Sequence, residues 1–279
     1  MRIALATAAH LPDLDEDGPA LLAALADEGL DAEIQVWDDP AVDWSGYDLV
    51  LIRTVWDYTT RHDQFLAWTR SVPRLLNPPS VVAWNTDKAY LGRVAEAGVP
   101  VVPTTYLTSP DGWTPPDHPF VVKPSVSAGA RDTAAYPARD AAAVGHVREL
   151  LDGGKVVMVQ PYVSAVDADG ETALLVFDGV VSHAVRKGAL LTPGGGIGAP
   201  QDYREHIVAR EPSPEESALA EQVLGVVAGW GDELLYARVD MLPGPVLVEL
   251  EVTEPSLFLR HSAGAARRFA AAVRRAAEP

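Results

Sequence analysis

The sequence contains no cysteine. That excludes disulfides, thiolate nucleophiles and cysteine-held zinc or iron–sulfur centres, so a metal would have to be met by hard oxygen donors, which favours magnesium, or manganese. Positive charge is also scarce: 22 Lys plus Arg stand against 39 Asp plus Glu, a net charge of −17. Such a chain repels nucleic acid and anionic membrane faces. No stretch approaches the roughly 20 apolar residues that cross a bilayer. The opening Met1-Arg2-Ile3-Ala4-Leu5-Ala6-Thr7 reads as a strand rather than a signal peptide, so a cytoplasmic protein is expected. Glycine is missing where a dinucleotide fold needs it: residues 7–18 hold none before Gly18 and carry acids where a pyrophosphate would sit.

What is present has the rhythm of an α/β protein. The length of 279 residues suits one large core or a globule of two or three lobes. Apolar and amphipathic runs predict strands over 3–7, 34–37 and 48–53 and helices over 19–28 and 62–72, a parallel α/β lobe. We place the first boundary near Trp84, giving an N-terminal lobe over 1–84. A helix over 86–97 then opens a small central lobe over 85–162, with Asn85 as its cap. That lobe carries β-rich runs over 120–123 and 155–160 and a helix near 141–151. The last lobe, 163–279, shows two hairpins: one flanks Asp178-Gly179, and the other spans 236–252. Helices are predicted over 214–228 and about 263–277. A Gly-rich loop over 193–198 is either a lid or a surface loop.

The second hairpin is the most informative segment. Alternation puts Arg238 and Asp240 on one face of their strand, and Glu249 and Glu251 on one face of the next. A turn centred on Gly244 and Pro245 sets Asp240 opposite Glu249 and Arg238 opposite Glu251. Three carboxylates that close repel one another unless cations compensate, so Asp240, Glu249 and Glu251 are candidate magnesium ligands. The alternative is a solvated edge hairpin whose acids keep it soluble.

Only four lysines occur, at 88, 123, 155 and 187. Lys88 opens the helix after Trp84-Asn85-Thr86-Asp87. Lys123 ends a strand before the small-residue loop Ser125-Val126-Ser127-Ala128-Gly129-Ala130-Arg131, and Lys187 ends the strand from Val180. Compact ammonium groups beside closely approaching backbone N–H groups suit phosphate, although any one of these lysines alone is an ordinary surface charge. After the strand over 48–53, Arg53, Trp56 and Asp57 occupy the position where open parallel sheets bind ligands. The alternative there is that Arg53 pairs with Asp57 and Trp56 packs in the core. Ser256 and Arg260, beyond the acidic strand, are further substrate candidates.

In this order of motifs the sequence resembles the ATP-grasp superfamily over nearly its whole length. The motifs are a lysine opening the central lobe, a strand lysine before a small-residue loop, the hinge Val159-Gln160-Pro161-Tyr162-Val163, Gly170-Glu171, Arg238-x-Asp240 and Glu249-x-Glu251. Arg53-Thr54-Val55-Trp56-Asp57-Tyr58, Trp84-Asn85-Thr86-Asp87-Lys88 and Glu249-Leu250-Glu251-Val252-Thr253-Glu254-Pro255-Ser256-Leu257 are most similar to the D-cycloserine synthetase group. Glutathione synthetase and the ribosomal-protein glutamate ligases are more distant.

The resemblance implies an N-terminal parallel α/β lobe, a small central lobe and a C-terminal antiparallel-sheet lobe. It implies a ligase that joins a carboxylate to nitrogen through an acyl phosphate, using ATP and Mg2+ on an amino-acid-like small molecule. An intramolecular cyclo-ligase, an intermolecular amino-acid or peptide ligase and a non-catalytic nucleotide-binding protein all remain open, as does a homo-oligomer. By resemblance Lys88, Lys123 and Ser125 meet the ATP phosphates, and Gln160, Pro161, Tyr162 and Val163 the adenine. Glu171 or Asp167 takes the ribose, and Asp240, Glu249 and Glu251 take magnesium. Arg238 steadies the phosphoryl group or the oxyanion, with Lys187 as a further phosphate contact. Two departures stand out: Glu251 replaces the usual asparagine, and Gln160 stands where an acid is common.

Overall fold

The computed structural model describes residues 1–197, 206–231 and 233–278, which form three sheets. The first is parallel, in the order β2-β1-β3-β4: β1 (Arg2–Thr7), β2 (Asp31–Val36), β3 (Leu49–Thr54) and β4 (Leu75–Leu76). β1 and β3 are buried almost throughout because both their faces are covered, α1 (Gly18–Asp27) packing on one and α2 (His62–Ser71) on the other. On the α2 side Trp37, Phe65 and Trp68 make an aromatic cluster, with Trp37 edge-on to Phe65 at 5.4 Å.

Two short helices follow: the second covers most of the helix expected over 86–97, and the first was not expected. α3 (Pro79–Asn85) starts on a proline suited to a first helical turn, and α4 (Tyr90–Glu96) begins after a break. The break is imposed by tertiary contacts. The Lys88 N–H donates to the Ser125 carbonyl at 2.9 Å, which turns the chain away from the helical path. Asn85 is therefore the last residue of α3 rather than a cap, and Lys88 sits in the turn between helices rather than opening one.

The central sheet is antiparallel, in the order β5-β8-β6-β7: β5 (Thr105–Leu107), β6 (Phe120–Pro124), β7 (Ala134–Tyr136) and β8 (Val157–Pro161). α5 (Ala142–Asp152) covers it. α6 (Val166–Asp169), a single turn, leads to the third sheet, in the order β11-β10-β9-β12-β13. Its strands are β9 (Glu171–Phe177), β10 (Val180–Lys187), β11 (Ile207–Arg210), β12 (Tyr236–Leu242) and β13 (Val246–Glu251). Period-2 alternation divides this sheet. Leu174, Val176, Ala237, Val239 and Met241 face α4 and α7 (Pro214–Ala228). Ala173, Leu175, Phe177, Val185 and Tyr236 face α8 (Ala265–Ala277) and α1. The second face is apolar at one end and charged at the other. That charged end is the site described below.

β13 is an edge strand: Pro100 and Val102 bond the Leu247 backbone, and side chains from α3, α4 and the segment before α3 take up further open groups at its far end. Asn85 Nδ2 donates to the Leu250 carbonyl at 2.7 Å while its Oδ1 accepts from Val252 N–H at 3.1 Å. The Tyr90 hydroxyl exchanges hydrogen bonds with Leu250, and Asn77 Nδ2 donates to the Val252 and Tyr236 carbonyls. Truncating Asn85 to alanine orphans buried backbone groups at about 1–3 kcal/mol each. At about 2 to 4 °C per kcal/mol for a chain of this size, the melting temperature of Asn85→Ala is expected to fall by roughly 10 °C. A fall within about 2 °C of zero would show that water replaces the amide without loss.

Of the Gly-rich loop, residue 198 lies outside the described residues. The Gly194 N–H donates to the Ala135 carbonyl at 3.0 Å, so this loop touches the central sheet. Among the described residues no helix is long and apolar enough to cross a membrane.

Candidate active site

The hairpin register read from the sequence is the one observed: Asp240 pairs with Glu249, and Arg238 with Glu251. A bulge between Asp240 and Met241 follows this pair, and Gly244 turns the chain at φ +99°. On the neighbouring strands Lys187 lies opposite Glu171, and Ala173 lies opposite both Asp240 and Val185. Because residue 173 carries only a methyl group, the Lys187 ammonium reaches diagonally across it and bonds Asp240 at 2.8 Å as well as Glu171.

The acids do not stand alone. Arg238 donates to both Asp240 oxygens, from Nε to Oδ1 at 2.8 Å and from Nη2 to Oδ2 at 2.8 Å, and it pairs with Glu251. Its guanidinium lies 5.4 Å from the centre of the Phe258 ring. Phe258, seven residues beyond the acidic strand, takes the left-handed φ of 49°, strained for a bulky side chain. Lys88 pairs with Glu249 at 3.1 Å and donates to the Ser127 carbonyl at 2.7 Å. Burial pulls Asp240 upward, but Arg238 and Lys187 outweigh it and hold the carboxyl well below the usual range. Burial pushes Glu251 up to about 8; Arg238 offsets part of this, while Glu249, Asp240 and Glu254 add to it. Glu171 is likewise pushed up to about 7 by burial, with Lys187 opposing and Asp240 reinforcing the shift.

Two buried lysines face this cluster with opposite outcomes. Burial lowers both, but the Glu249 pair more than compensates at Lys88, whose pKa ends above the ordinary lysine value. Lys123, at the end of β6 and 9% exposed, has no ion-pair or hydrogen-bond partner among the described residues. Burial brings it down to about 8, Glu249 and Glu171 opposing and Lys88 and Lys187 adding to the fall. Ser125 is buried beyond it, its N–H donating to the Val156 carbonyl at 2.9 Å.

The hinge residues continue from β8. Gln160 is buried and donates to the Thr104 hydroxyl at 2.8 Å, Pro161 pairs with Phe120, and Tyr162 N–H donates to the Pro119 carbonyl at 2.9 Å. The Val163 carbonyl accepts from Val166 N–H at 3.0 Å. Asp167, in α6, accepts from the Tyr162 hydroxyl. Glu171 is turned into the charged face against Lys187. Gly170, just before it, allows that approach: a Cβ there would come within 2.5 Å of the Lys187 carbonyl.

On the N-terminal side the expectations divide. Arg53 and Asp57 do not pair. Arg53 is 3% exposed, lies between the Tyr236 and Phe269 rings at 5.6 and 5.8 Å, and donates to the Pro255 carbonyl at 2.8 Å. The Trp56 indole, only partly buried, donates to the Glu254 carbonyl at 3.1 Å rather than packing in the core. Both side chains thus hold the segment after β13. Asp57 is not brought to the cluster; it accepts from Trp37 Nε1 at 3.0 Å and pairs with Arg61. Ser256 lends its carbonyl to Arg238 at 3.4 Å. Arg260 is exposed and paired with Glu16, while its N–H donates to Asp17 at 3.1 Å. Sequence reading overlooked Tyr58, Ser127, Phe258 and Glu254, although Glu254 falls inside a motif quoted for its likeness.

Among the described residues no group of three or more histidines and acids is placed to hold a metal. Asp240, Glu249 and Glu251 each grip a cationic side chain instead. The donor set still fits a hard divalent ion. Glu171, Asp240, Glu249, Glu251 and Glu254 outnumber Lys88, Lys123, Lys187 and Arg238, a net negative charge that a divalent ion would offset.

A parallel lobe, a lysine-bearing central sheet and an antiparallel sheet with paired carboxylates define an ATP-grasp ligase. Solved structures agree. The D-alanine–D-alanine ligase from Bacillus anthracis superposes with a TM-score of 0.65 at 16% identity over 100% of both chains. A RimK domain ATP-grasp protein from Sphaerobacter thermophilus gives 0.68 at 18%, covering 97% of this chain and 98% of that one.

Similarity to one group is far closer. The chain is 38% identical to the cycloserine biosynthesis protein DcsG of Streptomyces lavendulae over 99% of both sequences. It matches the crystal structure of D-cycloserine synthetase DcsG with a TM-score of 0.89 at 36% identity over 100% of both chains. Residues 3–77 match the family model described as D-cycloserine synthetase DcsG, N-terminal domain. The chain belongs to the D-cycloserine synthetase family.

Proposed function

We propose that this enzyme uses ATP to close O-ureido-D-serine into D-cycloserine, joining the substrate's carboxylate to a nitrogen of the same molecule. The observation that carries the use of ATP is Lys123: a buried ammonium with no ion-pair partner among the described residues, within electrostatic range of Glu249 and Glu171. Such a site suits a triphosphate. We assign Lys88, Lys123 and Ser125 to the phosphates and the stretch from Gln160 to Val163 to the adenine. We assign the ribose to Asp167, exposed beside the hinge, or to Glu171, which Lys187 holds.

A carboxylate resists attack by nitrogen because it offers no good leaving group. Transfer of the γ-phosphoryl to it creates an acyl phosphate; the oxygen-bound nitrogen then displaces phosphate and loses its proton, and water removes the carbamoyl group that this nitrogen carries as carbon dioxide and ammonia. Arg238, fixed by Asp240, Glu251 and the Phe258 ring, is placed to neutralise charge on the moving phosphoryl or the tetrahedral oxyanion, with Lys187 behind it. Magnesium held by Asp240, Glu249 and Glu251 would supply further neutralisation of phosphate charge. Lobe closure excludes water that would otherwise hydrolyse the intermediate.

The test is phosphate release from ATP and magnesium with O-ureido-D-serine, compared with a panel of amino acids and dipeptides. Release with the ureido compound and a ring product by mass analysis is expected. A product joining two molecules would replace the cyclo-ligase reading with an intermolecular one.

A further inference from the structure

Glu254, counted above among the site's acids, lies three residues beyond the acidic strand and has been assigned no ligand. It is 8% exposed. Its backbone is pinned from the N-terminal lobe: Trp56 donates to its carbonyl at 3.1 Å, and Arg53 to the carbonyl of Pro255 at 2.8 Å. Its backbone is thereby held just past the carboxyl end of β3, the place where open parallel sheets bind ligands, and its carboxylate meets Tyr58, four residues beyond that end.

A buried carboxylate normally pairs with a cation, because leaving water is costly for it. Glu254 has none within ion-pair distance among the described residues. Lys88 is engaged by Glu249, and Arg238 by Asp240 and Glu251. The Tyr58 hydroxyl faces it. Burial accordingly pushes Glu254 up to about 7, Lys88 and Tyr58 offsetting part of the rise. The group still lies within electrostatic range of Lys88 and of Arg238, the residue assigned above to the phosphoryl group or the oxyanion.

In an α-amino acid the ammonium is attached to the carbon that bears the carboxylate, so its acceptor must sit close to the phosphoryl-transfer residues. An ammonium is a compact monocation with three donors, which a carboxylate and a phenol oxygen can share. We propose that Glu254, assisted by the Tyr58 hydroxyl, receives the α-ammonium group of the amino-acid substrate. This rests on the ligase reading above and names the feature by which that site selects amino acids over simple acids.

The experiment compares wild type and Glu254→Gln on O-ureido-D-serine and on its counterpart lacking the amino group, 3-(ureidooxy)propanoate. Activation is read by phosphate release, and binding by calorimetric titration in the presence of a non-hydrolysable ATP analogue. Wild type is expected to favour the amine-bearing acid on the order of 100-fold, and Glu254→Gln by less than about 10-fold, with the loss in KM for the acid and none in KM for ATP. Tyr58→Phe should shrink the preference less; it also serves if the glutamine variant fails to fold. A preference retained in full by Glu254→Gln or Tyr58→Phe, or a wild type that treats both acids alike, overturns the proposal. Because the readout is the ratio between two acids, it is independent of whether the product is a ring, which mass analysis reports separately.

Discussion

Replacing Asp240 by asparagine is expected to lower turnover on the order of a thousandfold and to destabilise the fold as well. From sequence alone turnover is expected to fall far more than folding is altered. The structure changes that expectation. Asp240 is 1% exposed and holds both Lys187 and Arg238. Losing the negative charge leaves two buried cations without their shared partner, a loss of about 3–5 kcal/mol when one member of a buried pair is removed. At this size that is on the order of 10 °C in melting temperature. The rate effect has a separate origin, because Arg238 loses the acid that fixes its Nε and Nη2. Turnover measured well below the variant's melting temperature, at saturating magnesium, separates the two effects. Undiminished turnover there would remove Asp240 from the site.

Lys123→Met is expected to have the opposite signature: nucleotide affinity falls by about 100-fold, while the protein without nucleotide becomes no less stable. Keeping this buried ammonium charged costs the fold about 3 kcal/mol relative to an ordinary lysine, which methionine does not incur. The sign with pH follows. In the unfolded chain the lysine titrates near 10.5 and in the folded protein at about 8. Between those values the unfolded state binds the proton and the native state does not, so this residue's contribution to stability improves as pH rises from about 8 to about 10.5. Triphosphate affinity moves the other way and weakens as pH rises through that window, because the charge that attracts phosphate is lost. Calorimetric titrations at several pH values, beside thermal melts, test both halves. Normal affinity in Lys123→Met would exclude this lysine from the phosphate site.

How much of this was legible in the sequence depended on the range of the interactions concerned. The β12–β13 pairing was readable because alternation and the Pro243-Gly244-Pro245 turn are local signals that together fix a register. The paired strands around Asp178-Gly179 and the helix Pro214–Ala228 were readable for the same reason. The break at Lys88 was not. The apolar spacing from Val81 to Val94 continues across it, and the kink is set by Ser125, far along the chain. Nor could sequence show that Arg53 lies between rings supplied by residues 236 and 269, or that Lys187 reaches Asp240 across an alanine. The candidate residues were identified by type and order; their partners required the fold.

The covering of β13 also bears on how the protein is made. Asn77, Asn85 and Tyr90, whose side chains occupy that strand's free edge, are synthesised well over a hundred residues before the strand itself. A ribosome releasing the chain from its amino end therefore delivers the cover first. When the acidic strand emerges, its unpaired amides and carbonyls meet partners from their own molecule before they can template a strand from another.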